Sequence, residues 1–210
     1  VWVGAGKSSV IPVTSLLAGA LALSVPLIFG AVTGQVKDGE REMFNTAVLT
    51  SSTGALLSRF DKMRLLMFGE TLPFVETFPQ IRGWFPRSST FTRGRTLEHL
   101  QLDDVSLLPM ICYEDIIPSF VRELWTFAGP ADVLVNITND SWYGDTHEPI
   151  THLALASFRT IETRRSMIRS TNTGVSAFVD PAGRIIERSG QWTRETLVAE
   201  VPIFSDGSST

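Results

Sequence analysis

Cys112 is the only cysteine among 210 residues, and it closes an apolar run, Val105 to Cys112, with Tyr113, Glu114 and Asp115 directly behind it. A thiol at a strand end beside carboxylates sits where a nucleophile is exposed. Nucleophilic use needs a thiolate, and so a cation nearby. The plain alternative is a small buried hydrophobe, the usual fate of a lone cysteine. Lysine is scarce, three residues against 15 arginines, and Lys62 lies just past a strand in Phe60-Asp61-Lys62-Met63-Arg64. Its compact ammonium suits a thiolate and a developing oxyanion better than the fork of an arginine. A solvated strand-end charge is the other reading. Glu70, in Met67-Phe68-Gly69-Glu70-Thr71-Leu72-Pro73, is costly to bury among apolar neighbours without a partner. Asn139-Asp140-Ser141-Trp142-Tyr143-Gly144 follows an apolar strand, where α/β proteins gather site loops, although a simple turn has the same composition.

Other chemistries find less support. Gly4-Ala5-Gly6-Lys7-Ser8-Ser9 resembles the end of a phosphate-binding loop, but Val1 stands where the first glycine belongs. His99, His147 and His152 are the only histidines, and no Cys/His spacing fits zinc. No metal and no organic cofactor is expected, and one cysteine excludes an internal disulfide. The net charge of -4 argues against a broad nucleic-acid surface. With 43% hydrophobic and 19% charged residues the chain has a globular composition. Arg159, Arg164, Arg165 and Arg169, with Glu162 among them, read as a solvated or ion-paired helix face rather than an anion site.

The elements that must position these residues alternate. Thr14–Leu23 suits a short buried helix and Pro26–Val32 a buried strand. The uncharged stretch Val10–Val36 is also long enough for a spanning helix. Gly34–Glu42 reads as a loop. Asn45–Thr50 and Ala55–Phe60 form a hairpin about Ser51–Gly54. Phe68–Arg95, with Pro73, Pro79, Pro86 and six aromatics, is a long irregular segment. Val105–Cys112 and Asp132–Thr138 read as buried strands, Ile117–Phe127 as a helix and Ile150–Arg169 as the longest helix. Gly174–Val179 and Arg184–Arg188 pair about Asp180–Gly183, and Thr196–Val201 is a last strand. The pattern predicts a layered α/β or α+β domain with a mixed sheet.

Taken in order along the chain, six segments resemble the nitrilase (carbon-nitrogen hydrolase) superfamily and, within it, the apolipoprotein N-acyltransferase family. Lys62 and the segment Leu65–Pro73 resemble that family's lysine and its "PFGE-x-x-P". Phe91-Thr92-Arg93-Gly94 resembles "F-x-x-G", and Ile111-Cys112-Tyr113-Glu114 the nucleophile strand "ICYE". Asn139–Gly144 resembles "NDAWFG", and Arg169–Ala177 "R-x-TN-x-GVTA". The resemblance implies an α/β fold, a nitrilase-like α-β-β-α sandwich over residues 1–210. Val10–Val36 then belongs to the sandwich. Both ends are expected to be internal boundaries of a longer protein whose flanking segments span the bacterial inner membrane, with this domain on the periplasmic side.

The implied catalytic set is Glu, Lys and Cys, so Cys112 would be the nucleophile and Lys62 the lysine. Trp2 is followed by Val3 and Gly4, and no acid precedes Asp38, so no residue is assigned to the glutamate. Glu70 and Glu114 are supporting carboxylates, Tyr113, Asn45 and Trp142 further site candidates, and Phe68–Phe91 a candidate lid for acyl chains. The implied reaction moves a fatty acyl chain from a phospholipid donor, through a Cys112 thioester, to the N-terminal diacylglyceryl-cysteine of a lipoprotein. Two alternatives remain open: a soluble nitrilase-type amidase acting on a small amide, and an inactive binding domain of the same fold.

Overall fold

A computed structural model describes residues 24–203 apart from 38, 73, 75–76, 79 and 85–90. The expected helix Thr14–Leu23, the Gly4–Ser9 segment and Trp2-Val3-Gly4 lie outside the described residues.

Among the described residues two sheets face each other. The first is antiparallel and holds β1 (Leu27–Lys37), β2 (Glu40–Thr50) and β3 (Leu56–Asp61) in that order. The second has six strands in the order β4 (Leu100–Leu102), β5 (Val105–Ile111), β6 (Val133–Thr138), β7 (Ser166–Thr171), β8 (Ala177–Val179) and β9 (Ile185–Arg188). Its centre, β5-β6-β7, is parallel and its flanks are antiparallel. β2 packs on β5 and β1 on β6, and Ala47, Leu49 and Phe60 of the small sheet join Leu108, Met110 and Leu134 of the large one in a single core. Helix α1 (Pro118–Ala128) buries Phe120, Val121 and Leu124, and α2 (Glu148–Thr163) lies on β7 and β8. The strand–strand–helix layering agrees with the expected sandwich.

β5 and β6 are near-continuous apolar runs because both of their faces are covered, as parallel strands require. Pro109 is tolerated within β5 because β4 pairs only residues 105–107, so no neighbour on that side asks for its missing N–H.

Four expectations change. Gly34–Glu42 is not a loop: β1 and β2 pair in unbroken register from Leu27–Thr50 to Lys37–Glu40, and Gly39 takes φ +85° at the tight turn. The helix expected over Ile150–Arg169 ends at Thr163. Arg164 adopts a left-handed cap with φ +55°, and the chain turns into β7. Thr196–Val201 has no regular structure, with Val198 82% exposed. Gly174–Val179 contributes only its last three residues, β8, to the sheet. No helix among the described residues is long and apolar enough to cross a membrane, and the described part of Val10–Val36 is mostly strand.

Candidate active site

Parallel β5, β6 and β7 deliver their C-terminal ends to one edge of the large sheet, where ligands bind in such layered proteins. Cys112 follows β5 directly and opens a 3-10 turn, Cys112–Ile116. Its φ is +56°, a left-handed conformation that costs a residue with a Cβ about 1–2 kcal/mol. Such strain persists only where the surroundings enforce it.

Lys62 comes from the other sheet, immediately after β3. Its N–H donates to the Asn45 carbonyl at 2.8 Å, and its own carbonyl accepts from Gly94 N–H at 2.8 Å. Gly94 leaves no room for a side chain, since a Cβ there would sit 2.1 Å from the Asp61 carbonyl oxygen. The glycine of Phe91-Thr92-Arg93-Gly94 is therefore a seat for the lysine strand. Lys62 is 1% exposed, so the solvated-charge reading is overturned. Its Nζ donates to Glu70 Oε2 at 2.6 Å and stands 5.1 Å from the centre of the Tyr113 ring. Glu70 also accepts from Asn45 Nδ2 at 2.9 Å and Leu66 N–H at 2.9 Å. Among the described residues Glu70 is the one hydrogen-bond partner of the ammonium.

Glu114 joins the two halves. Its Oε1 accepts from Met63 N–H at 2.8 Å and Arg64 N–H at 2.7 Å, and its Oε2 from Ile111 N–H at 2.8 Å. Burial pushes this carboxyl up to about 7, against the backbone donors of Ile111, Arg64 and Met63 and the charge of Lys62, all of which favour the anion. Tyr113 donates its hydroxyl to the Leu65 carbonyl at 3.0 Å. Burial and the neighbouring charges of Glu114, Glu70 and Cys112 push Tyr113 up to about 12, so it is a neutral donor.

Burial also raises the Cys112 thiol, against Lys62, the Thr138 hydroxyl and the Tyr113 N–H, which lower it. Burial thus favours the neutral thiol, and the thiolate that a nucleophile needs calls for a base to take its proton. Cys112, Lys62, Glu70, Glu114, Tyr113 and Asn45 thus form one connected group. Trp142 does not join it: the ring is 69% exposed on the 3-10 turn Asp140–Tyr143 after β6 and makes no hydrogen bond to the others.

A second polar group, unmarked in the sequence reading, lies beneath the Cys112 turn. Met110, Asn136 and Arg169 occupy one row across β5, β6 and β7. Asn136 Nδ2 donates to the Cys112 carbonyl at 3.0 Å and the Met110 carbonyl at 3.3 Å. Arg169 Nη1 donates to Asn136 Oδ1 at 2.7 Å and Asp115 Oδ2 at 2.6 Å, and its Nη2 to Asp140 Oδ2 at 3.2 Å. His152, on α2, bridges Asp115 at 2.8 Å and Asp140 at 3.2 Å. All five side chains are buried. The arginine run therefore divides: Arg159 is buried and ion-paired with Glu162 at 2.7 Å and Arg164 is exposed, as an ion-paired or solvated helix face implies, whereas Arg169 is a strand residue in the interior. Burial lowers His152, but its hydrogen bonds to Asp115 and Asp140 prevail and raise it to about 9. Asp140, Glu148 and His152 bring ligand-type atoms within 4.8 Å of one another. Both His152 ring nitrogens already face carboxylates and Arg169 already faces Asp140, so this set is committed to the ion network. Gly174 belongs to it too, because a Cβ there would lie 2.1 Å from Asp140 Oδ2. In the sequence Asp140 and Arg169 stand in two of the quoted segments, but nothing there joins them; a polar Asn136 inside the wholly buried strand Val133–Thr138 is the further signal of a buried polar group.

The carbon-nitrogen hydrolase family model matches residues 11–204. The chain belongs to the carbon-nitrogen hydrolase family. Among curated proteins it is similar to the apolipoprotein N-acyltransferase of Bdellovibrio bacteriovorus, 41% identical over 194 residues, covering 87% of this chain and 35% of that protein. It is also similar to the apolipoprotein N-acyltransferase of Chlorobaculum tepidum, 37% identical over 178 residues, covering 79% and 32%. The chain thus spans about a third of the length of these relatives. Among solved structures, a carbon-nitrogen hydrolase from Helicobacter pylori G27 superposes with a TM-score of 0.64 at 17% identity, over 87% of this chain and 64% of that one. An amidase from Nesterenkonia sp. gives 0.60 at 19%, over 85% and 62%. These likenesses establish the nitrilase-type fold, and the curated relatives carry the resemblance to apolipoprotein N-acyltransferases.

Proposed function

We propose that this domain transfers a fatty acyl chain from a phospholipid to the α-amine of a lipoprotein's diacylglyceryl-cysteine, through a thioester on Cys112. In the first step a base takes the thiol proton and sulfur adds to the ester carbonyl. The oxyanion collapses, the ester C–O bond breaks, and the lysophospholipid leaves with the proton. In the second step the amine adds to the thioester, loses a proton, and the C–S bond breaks to return the thiol and release the amide. Splitting the transfer in this way replaces one difficult step by two easier ones.

Lys62, whose ammonium has Glu70 as its one hydrogen-bond partner among the described residues, is suited to the oxyanion in both steps, and one such donor is typically worth about 3–4 kcal/mol. Glu70 holds the ammonium and is itself held by Asn45, while Glu114 ties the Lys62 strand to the Cys112 turn. Tyr113 packs its ring under Lys62, and Trp142 is assigned to the rim. No metal or organic cofactor enters any step. The full-length protein is placed in a bacterial inner membrane, with this domain on the periplasmic side.

The observation that favours acyl transfer over hydrolysis of a small amide is the apolar surface beside the Lys62–Glu70 pair. Met67 and Phe68, which immediately precede Gly69 and Glu70, are exposed, and Phe91 N–H fastens this turn by donating to the Glu70 carbonyl at 3.0 Å. Phe74 and Phe78, further along the same segment, are exposed as well. Exposed apolar side chains of this kind suit acyl chains rather than a short polar amide. The test supplies the full-length protein with phospholipid and a diacylglyceryl-cysteinyl peptide, and in parallel with acetamide. Lysophospholipid released in step with N-acyl peptide is expected. Ammonia from acetamide without lysophospholipid would assign the site to an amidase.

A further inference from the structure

The buried row beneath the nucleophile meets the acyl-transfer site only at the Cys112 turn, yet it is an expensive thing to keep. Asn136, Arg169, Asp115, Asp140 and His152 are each at most 2% exposed, and hydrophobic residues of similar volume commonly serve stability as well or better. Its geometry converges on one backbone feature. Cys112 holds φ +56°, and its carbonyl accepts from Asn136 Nδ2 at 3.0 Å. Asp115, three residues along the same turn, accepts from Arg169 at 2.6 Å. The Asn136 amide cannot swing away, because its Oδ1 accepts from the same Arg169 nitrogen at 2.7 Å. Arg169 is fixed in its turn by Asp140 and, through the two aspartates, by His152 on α2. Glu114 grips the turn from the opposite side through Ile111 N–H. The turn is thus clamped between the Lys62 strand and the β6–β7 row.

We propose that Asn136, locked by Arg169, is a positioning residue that holds the Cys112 turn in its left-handed conformation and so aims the thiol at the carbonyl bound beside Lys62. This rests on Cys112 being the nucleophile. Without the clamp the turn relaxes toward negative φ and Sγ leaves the neighbourhood of Lys62. Misplacing a reacting group by about 1 Å costs on the order of 10²-fold in rate. The phospholipid surface is left untouched, so half-saturation by the donor stays constant.

The test compares Asn136→Leu with Val135→Ala in the full-length protein. Val135 is the preceding β6 residue, buried and pointing to the other face of the sheet. It therefore loosens the strand without touching the turn. Two readouts are taken on folded protein: the rate of Cys112 thioester formation from phospholipid, and the pH midpoint of Cys112 alkylation by iodoacetamide. Asn136→Leu is expected to slow acylation on the order of 10²-fold at unchanged half-saturation and to move the alkylation midpoint upward, since the thiolate loses Lys62. Val135→Ala is expected to leave both at wild-type values. Wild-type acylation with an unshifted midpoint in Asn136→Leu would overturn the proposal, as would equal losses in both variants. The two failures remain distinguishable. If wild-type protein forms no thioester at all, the acyl-transfer reading fails, while the alkylation midpoint still decides whether Asn136 sets the turn.

Discussion

Replacing Glu70 by Gln removes one charge and almost no volume. Lys62 Nζ lies 2.6 Å from Glu70 Oε2 and is 1% exposed, while the Glu70 side chain is 14% exposed. A glutamine can point its carbonyl at Lys62, and Asn45 can rotate its amide to accept from the new NH2, so hydrogen bonding is largely kept. What remains is a buried ammonium without its counter-charge. Breaking a buried pair from one side costs about 3–5 kcal/mol, and the access of Glu70 to water places this case near 3. For a domain of this size that corresponds to a fall of about 6–12 °C in Tm. The ammonium also loses the carboxylate that holds it in place, and acylation should fall on the order of 10²–10³-fold. Thermal unfolding followed by tryptophan fluorescence, with thioester formation measured in parallel, reads both. The double variant Lys62→Met/Glu70→Gln removes the uncompensated charge, so it should be more stable than Glu70→Gln alone and still inactive. A Glu70→Gln protein that melts within about 1 °C of wild type and still acylates would refute the electrostatic reasoning.

Glu114→Gln keeps one acceptor for the Met63 and Arg64 N–H groups but sets its NH2 against the buried Ile111 N–H; a loss of about 1–3 kcal/mol is expected in thermal unfolding. Gly94→Ala drives a Cβ into the Asp61 backbone and should lower stability by about 1–3 kcal/mol while slowing acylation through the displaced Lys62, measured as thioester formation per folded molecule. His152 is raised to about 9 in the fold from an ordinary value near 6.5, so the native state holds a proton that the unfolded chain releases. Its contribution, on the order of 3 kcal/mol, is complete below about pH 6.5 and is lost as the pH rises through about 9. A pH series of unfolding midpoints should therefore decline across that window in wild type and flatten in His152→Gln.

The site was legible in the sequence where chemistry and local pattern coincide. Cys112 ends an apolar run, Lys62 and Glu70 sit close together in the chain, and the glycines of two quoted segments, Gly94 and Gly174, mark places where a backbone and a carboxylate leave no space for a Cβ. The buried row was not legible because it is a product of register. Asn136 lies 26 residues from Met110 and 33 from Arg169, and only parallel pairing sets the three side by side. Arg169 was hidden for a related reason. The sequence holds no Gly or Pro between the helix Glu148–Thr163 and the strand Ser166–Thr171, because Arg164 itself makes the left-handed cap, so an interior strand cation reads as one more charge on a helix. The β1–β2 turn was missed although Asp38-Gly39 is a strong hairpin signal, because the polar residues around it resemble a loop.

The most direct test of the account is the intact mass of the full-length protein after incubation in phospholipid micelles, beside Cys112→Ala and Lys62→Ala. The account predicts wild-type protein heavier by one acyl chain, the added mass released by hydroxylamine as a thioester requires, no adduct on Cys112→Ala and a strongly reduced one on Lys62→Ala. A folded wild-type protein with no acyl adduct, or an adduct that survives in Cys112→Ala, would contradict it.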